Sequence, residues 1–263
     1  MLRTLGKIGV DATNTARRAA EIAFVTFACG LIGFGVQWLV PAQTIADAKS
    51  MVTAVVGLVA LLLAVVLGLL IWTSNGVYTT QLAEAQSLGP VILQLDFVLE
   101  QYGPEAKKGR ELFRGEIVRF RERFWGELQG FRAATSFLTS RSDMREMTIV
   151  FAELNPASEE QRQFLAAAKQ LWGSIIQTQL LMARQLANPV PAVLLMIVLC
   201  WSSLLFFCYG LTSNFNGVSV AVEAFGAMAV SSAIFLILEL SQPYNGLFHI
   251  SPAGVDQVIA AIG

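Results

Sequence analysis

The sequence predicts an all-α integral membrane protein with four transmembrane helices and a cytoplasmic helical domain between the second and third. Three observations carry this. Of the 263 residues, 55% are hydrophobic and only 14% charged, against about 25% charged in soluble domains. The apolar residues are gathered into runs of about 20, enough at about 1.5 Å per residue to cross a ~30 Å hydrocarbon core. The charges are segregated: 13 of the 18 Lys and Arg fall in residues 75–187.

Residues 1–21 form a basic segment, with Arg3, Lys7, Arg17 and Arg18 against Asp11 and Glu21. The first span covers residues 22–40 and ends at Pro41. A cleaved leader is the rival reading, with Ala46-Asp47-Ala48 as its cleavage site. The apolar run exceeds the usual ~7–15 residues of a signal core, which favours a retained span. Gly30, Gly33 and Gly35 within it let a neighbouring helix approach.

The second span covers residues 51–72. Thr53, Gly57, Ala60, Ala64 and Gly68 recur every three or four residues as a small-residue stripe. Val56, Val59, Leu63, Val66 and Leu70 form a bulkier stripe beside it, facing lipid, a neighbour or a pore. Thr73, Ser74 and Asn75 are polar positions at its cytoplasmic end.

Residues 75–187 contain no further span and read as helices. One runs from Val77 to Gln101, with a bend at Gly89-Pro90. Gly103 offers a left-handed cap and Pro104 opens the next helix. There Phe113, Ile117, Phe120, Phe124, Leu128 and Phe131 recur in steps of four and three, one buried face. Glu111–Arg114, Glu116–Arg119 and Arg123–Glu127 pair on the other face, each worth ~0.2–0.5 kcal/mol. The acids between Arg119, Arg121 and Arg123 make this a solvated helix face rather than a nucleic-acid patch. A third helix covers Ser142 to Leu154, and Ser158 with Gln161 forms a capping box for a fourth, ending at Leu186. Asn188-Pro189-Val190-Pro191 then bends the chain into the third span, residues 190–210.

The fourth span covers residues 218–240, and Pro243 stops it, leaving residues 241–263 as a cytoplasmic tail. Lys49 is the one basic residue between the first two spans, and the hairpin turn before Val218 has none. By the positive-inside rule both termini and the middle domain are cytoplasmic; the expected location is a bacterial inner (plasma) membrane.

No phosphate-binding loop, HExxH, CxxC or GxSxG motif is present, so no enzyme, cofactor or metal site is expected. Cys29, Cys200 and Cys208 lie within apolar runs as small apolar residues, and His249 reads as a surface residue. The net charge of −1 gives no pull on nucleic acid. The intramembrane acid Glu223 is a functional candidate, because an ionisable group at that depth faces a bundle interior or water. Ser219 and Gly226 share its helix face. Glu239 lies near the inner interface, where backbone N–H groups or a basic residue would hold it.

Several stretches together resemble the bestrophin-like family. They are Tyr102-Gly103-Pro104-Glu105-Ala106 with Arg110; Pro191, Trp201, Phe207 and Gly210-Leu211; and Phe235-Leu236-Ile237-Leu238-Glu239-Leu240 with Pro243, Gly246 and Ser251. Ser241 stands where that family usually has Asp, and Tyr244 where it usually has Phe. The resemblance implies a bestrophin-like fold and an ion channel built as a homo-oligomer, a pentamer, in the lipid bilayer, passing inorganic ions. It implies that the second span lines the pore, with Val56, Val59, Leu63, Val66, Leu70, Thr73 and Asn75 as candidates and an apolar constriction among them. A calcium clasp after the last span is not expected, because Asp256 is the one acid there. The alternative is a non-conducting scaffold or sensor whose cytoplasmic helices bind a partner.

Overall fold

The computed structural model describes residues 2–126, 137–186, 192–244 and 246–262. Side chains are described from residue 15 onward, resuming at 145 and 193 after the two internal breaks. The described residues form helices α1 (Leu2–Val36), α2 (Ala42–Tyr102), α3 (Lys107–Trp125), α4 (Phe137–Glu153), α5 (Glu159–Leu186), α6 (Ala192–Thr212), α7 (Gly217–Leu240) and α8 (Ala253–Ala261). A short 3-10 turn, Pro104–Ala106, joins α2 to α3. No strand occurs among the described residues. Four helices are long and apolar enough to cross a membrane: Thr15–Val36, Ala42–Tyr102, Val193–Thr212 and Gly217–Leu240.

The chain divides into two compact units, Met1–Tyr78 with Val190–Phe248, and Thr79–Pro189 with His249–Gly263. The first holds the apolar helices. In it α1 packs along α6 and α7. A second set of contacts joins Val56, Leu63 and Leu70 of α2 to Val198 and Leu205 of α6 and Ile234 and Ile237 of α7. The seven-residue spacing on α2 brings each of its three members back to nearly the same direction.

The second unit has its own core. Leu88, Ile92, Leu95 and Leu99 of α2, Phe113, Ile117 and Phe120 of α3, Met147 of α4, and Ile175 and Met182 of α5 are almost fully buried. Phe113 meets Trp172 edge to face, with ring centroids 6.2 Å apart. Arg110 grips Asp96 with two parallel hydrogen bonds, Nε to Oδ1 at 2.9 Å and Nη2 to Oδ2 at 2.7 Å. That bonding pushes the guanidinium further above its ordinary value.

Three boundaries differ from the sequence reading. The second span and the helix after it are one element, α2, because no residue between Trp72 and Val77 breaks the backbone ladder. Pro90 lies inside it, removing one N–H donor to the Gln86 carbonyl without ending the helix. α1 begins at Leu2 and stops at Val36, four residues before the expected end of the span. α4 begins at Phe137, five residues before Ser142.

Other expectations match more closely. Gly103 has φ +117° and ψ −173°, a positive-φ conformation that favours glycine, with ψ extended rather than in the left-handed helical cap expected. Ser158 Oγ accepts from Gln161 N at 3.1 Å, and Gln161 Oε1 accepts from Ala157 N at 2.8 Å, a capping box displaced by one residue on its return bond. Gln161 Nε2 also donates to the Tyr102 carbonyl at 3.0 Å. Arg119, Arg121 and Arg123 of α3 are paired within the chain: Arg119 with Glu116 and Glu146, Arg121 with Asp256, Arg123 with Glu116; Glu116 itself is 3% exposed, so that position is not on the solvated face expected for it. The expectations for Leu128, Phe131, Arg123–Glu127 and the Asn188–Pro191 bend lie outside the described residues.

The tail contains a helix that the sequence reading left unassigned. Val255 and Val258 of α8 are buried, and Val258 reaches Gly89 of α2. Trp125 Nε1 donates to the Ile250 carbonyl at 2.8 Å, and Arg121 Nε holds Asp256 Oδ1 at 2.9 Å.

Candidate functional site

The candidate site lies in the first unit and has three parts: the faces of α2, a crossing of α1 with α6 and α7, and the exit turn of α7. On α2 the expected pore-lining residues fall in different surroundings. Val56, Leu63 and Leu70 are each 5% exposed and belong to the intrachain core. Val59 and Val66 are partly buried against the same core. The bulky stripe therefore faces a neighbour, the chain's own α6 and α7. The opposite side of α2 is exposed and equally apolar: Leu58, Leu61, Val65, Leu69 and Trp72. The sequence reading did not single out this exposed face. Thr73 and Asn75 are exposed, and the Thr73 hydroxyl donates back to the Leu69 carbonyl at 2.7 Å. Ser74 is buried.

The α1–α6 crossing is built on glycines. A Cβ at Gly210 would fall on the Gly30 carbonyl oxygen, with Gly30 C at 3.0 Å and Phe34 N at 3.1 Å. A Cβ at Gly33 would fall on the Phe207 carbonyl oxygen, with Leu211 N at 2.9 Å. All these atoms are backbone, so the helices touch main chain to main chain. Gln37, just past the end of α1, closes the crossing. Its Nε2 donates to the carbonyls of Gly210 at 2.7 Å and Leu211 at 2.9 Å, satisfying orphan acceptors at the C-terminus of α6. The sequence reading passed over Gln37. The available signal was a lone amide at the end of an apolar run, directly before Trp38.

Glu223 sits beside this crossing. It is 7% exposed, and neither carboxyl oxygen has a hydrogen-bond partner among the described residues. Its carboxyl fills the space where Gly30 lacks a side chain. An unpartnered charge within a span costs about 2.5–3.5 kcal/mol on insertion scales. The acid therefore faces its own bundle, toward α1. Gly226 of the same helix packs under the Phe206 ring, and Ser219 is half-buried.

At the exit of α7, Glu239 is 1% exposed and its Oε2 accepts from Leu247 N at 2.6 Å. A backbone N–H thus holds this acid. Gly246, at φ +100°, brings the returning chain so close that a Cβ there would lie 2.5 Å from Glu239 Oε2. Pro243 is buried in the same turn, three residues after α7 ends. No group of three or more His, Cys, Asp or Glu among the described residues is placed to hold a metal ion.

These features define an all-helical integral membrane protein with four apolar helices. The model of the Bestrophin-like domain matches residues 22–255, and the chain belongs to that family. Solved structures share the fold. A crystallised point variant of a bacterial bestrophin homologue from Klebsiella pneumoniae is 11% identical with a TM-score of 0.66, covering 93% of this chain and 97% of that one. A second variant of the Klebsiella pneumoniae homologue is 10% identical with a TM-score of 0.64 over the same shares, 93% and 97%. A crystallised variant described as a membrane protein is 13% identical with a TM-score of 0.64, again over 93% and 97%. A comparison with curated proteins gave no match.

Proposed function

We propose that the chain is one subunit of an oligomeric ion channel, with α2 lining an apolar constriction. One observation carries this: α2 is the most apolar and the least buried of the four candidate spans. A helix that apolar and that uncovered faces lipid or other copies of the chain, and copies arranged around a central axis would cover it. The likeness of the fold to crystallised bacterial bestrophin homologues supports this reading. The lining proposed here is the exposed face, Leu58, Leu61 and Val65 with Leu69 and Trp72, and Thr73 and Asn75 as polar positions at its cytoplasmic end. An apolar ring of this kind gates by dewetting.

The proposed assembly is a pentamer by family resemblance. It lies in a bacterial inner membrane with both termini and residues 75–187 on the cytoplasmic side, which the distribution of Lys and Arg supports. The proposed cargo is inorganic ions. The absence of any charged residue between Lys49 and Glu84 on α2 favours a second reading, a non-conducting scaffold whose cytoplasmic helices bind a partner. Planar-bilayer recording from purified oligomer separates the two. Voltage-driven unitary currents support the channel, and silence under varied voltage, calcium and pH supports the scaffold. Native mass spectrometry tests the assembly, and monomer alone overturns it.

A further inference from the structure

We propose that Glu223 and Gly30 form a proton-dependent latch holding α7 against α1. With the carboxyl neutral, the two helices close at the glycine. When the O–H bond breaks, the proton passes to water and the electron pair stays on the carboxylate. The ion then needs water or a cation, and the crossing opens to admit it.

The geometry supplies each part. Glu223 has no hydrogen-bond partner on either oxygen among the described residues, and it is buried. The carboxyl takes the volume that a side chain at residue 30 would need, so contact with α1 is through backbone. No counter-charge faces it among the described residues. Between Glu21 and the end of α1 the one titratable residue is Cys29. α6 carries Cys200, Cys208 and Tyr209 and no charge. On α7 the other acid is Glu239, about 24 Å further along the helix at 1.5 Å per residue. α2 carries no charge from Met51 to Ala83. The nearest hydroxyl on the same face of α1 is already used: Thr26 Oγ1 donates to the Ile22 carbonyl at 2.9 Å and the Ala23 carbonyl at 3.0 Å. Gly30 also forms the main-chain contact with Gly210 of α6. A displacement of α1 at Gly30 therefore moves the α1–α6 crossing too.

The test uses the full-length protein in lipid vesicles and does not depend on conduction. Infrared difference spectra between acid and alkaline buffer are compared for wild type and Glu223→Gln, an isosteric change that keeps the packing. In a Cys200→Ser, Cys208→Ser background, the alkylation rate of Cys29 reports opening beside Gly30. The latch predicts a protonated-carboxyl carbonyl band that disappears on alkalinisation and is missing in Glu223→Gln. It also predicts that Cys29 alkylation, divided by its rate in Glu223→Gln at the same pH, rises several-fold from acid to alkaline pH. Absence of a band assignable to residue 223, or a rate ratio constant across pH, overturns the proposal.

Discussion

Replacing Gly210 by Ala should force α1 and α6 apart. The new methyl would overlap the Gly30 carbonyl oxygen and crowd Gly30 C at 3.0 Å and Phe34 N at 3.1 Å. Even close carbon–oxygen contacts are about 3.3–3.6 Å, so the helices must separate by roughly an ångström. No rotamer relieves the clash, because every atom in the way is main chain. Overpacking of this kind costs about 1–3 kcal/mol, and the better helix propensity of Ala returns up to about 1 kcal/mol. The net loss of about 1–2 kcal/mol corresponds to a melting point lower by roughly 2–8 °C for a chain of this size. Thermal denaturation of detergent-purified protein, followed by circular dichroism, reads it. Gly173→Ala is the control of opposite sign, since nothing lies within 4 Å of a Cβ there and the helix should gain stability. A Gly210→Ala melting point equal to or above wild type refutes the main-chain crossing.

Three further outcomes follow from named contacts. Leu63→Ala should destabilise the subunit by about 2–5 kcal/mol, whereas Leu61→Ala should leave its unfolding nearly unchanged; equal effects by denaturant titration would contradict the two-faced α2. Arg110→Ala strands Asp96, which is 8% exposed. Because the arginine is partly solvated, the expected loss in a denaturant titration is about 1–3 kcal/mol, with only partial rescue by Arg110→Lys, which lacks the two-pronged donor. Gln161→Ala removes the Ala157 and Tyr102 bonds and should cost about 1–2 kcal/mol, seen as faster hydrogen exchange at the start of α5.

The apolar runs, the amphipathic face of α3, the Gly103 turn and the Ser158–Gln161 box were legible because each depends on residues close in sequence. The burial of Glu223 was legible for a related reason: a charge in a span has few places to go. What stayed hidden depends on partners far along the chain. Which α2 stripe is core is decided by Val198, Leu205, Ile234 and Ile237, more than a hundred residues later. Gln37 acquires its role only when the Gly210 and Leu211 carbonyls arrive beside it. α8 was missed because a nine-residue helix carries a weak periodic signal, and its stability comes from Trp125, Arg121 and Gly89 on other helices.

The central claim is that the exposed face of α2, not its buried face, lines an ion pathway. Single-channel recording of Leu61→Cys and Val56→Cys, in a background with Cys29, Cys200 and Cys208 replaced by Ser, tests it directly. The account predicts that a charged thiol reagent blocks current through Leu61→Cys and leaves Val56→Cys conducting. Block at Val56→Cys with Leu61→Cys untouched, or no current from the purified oligomer in any condition, contradicts it.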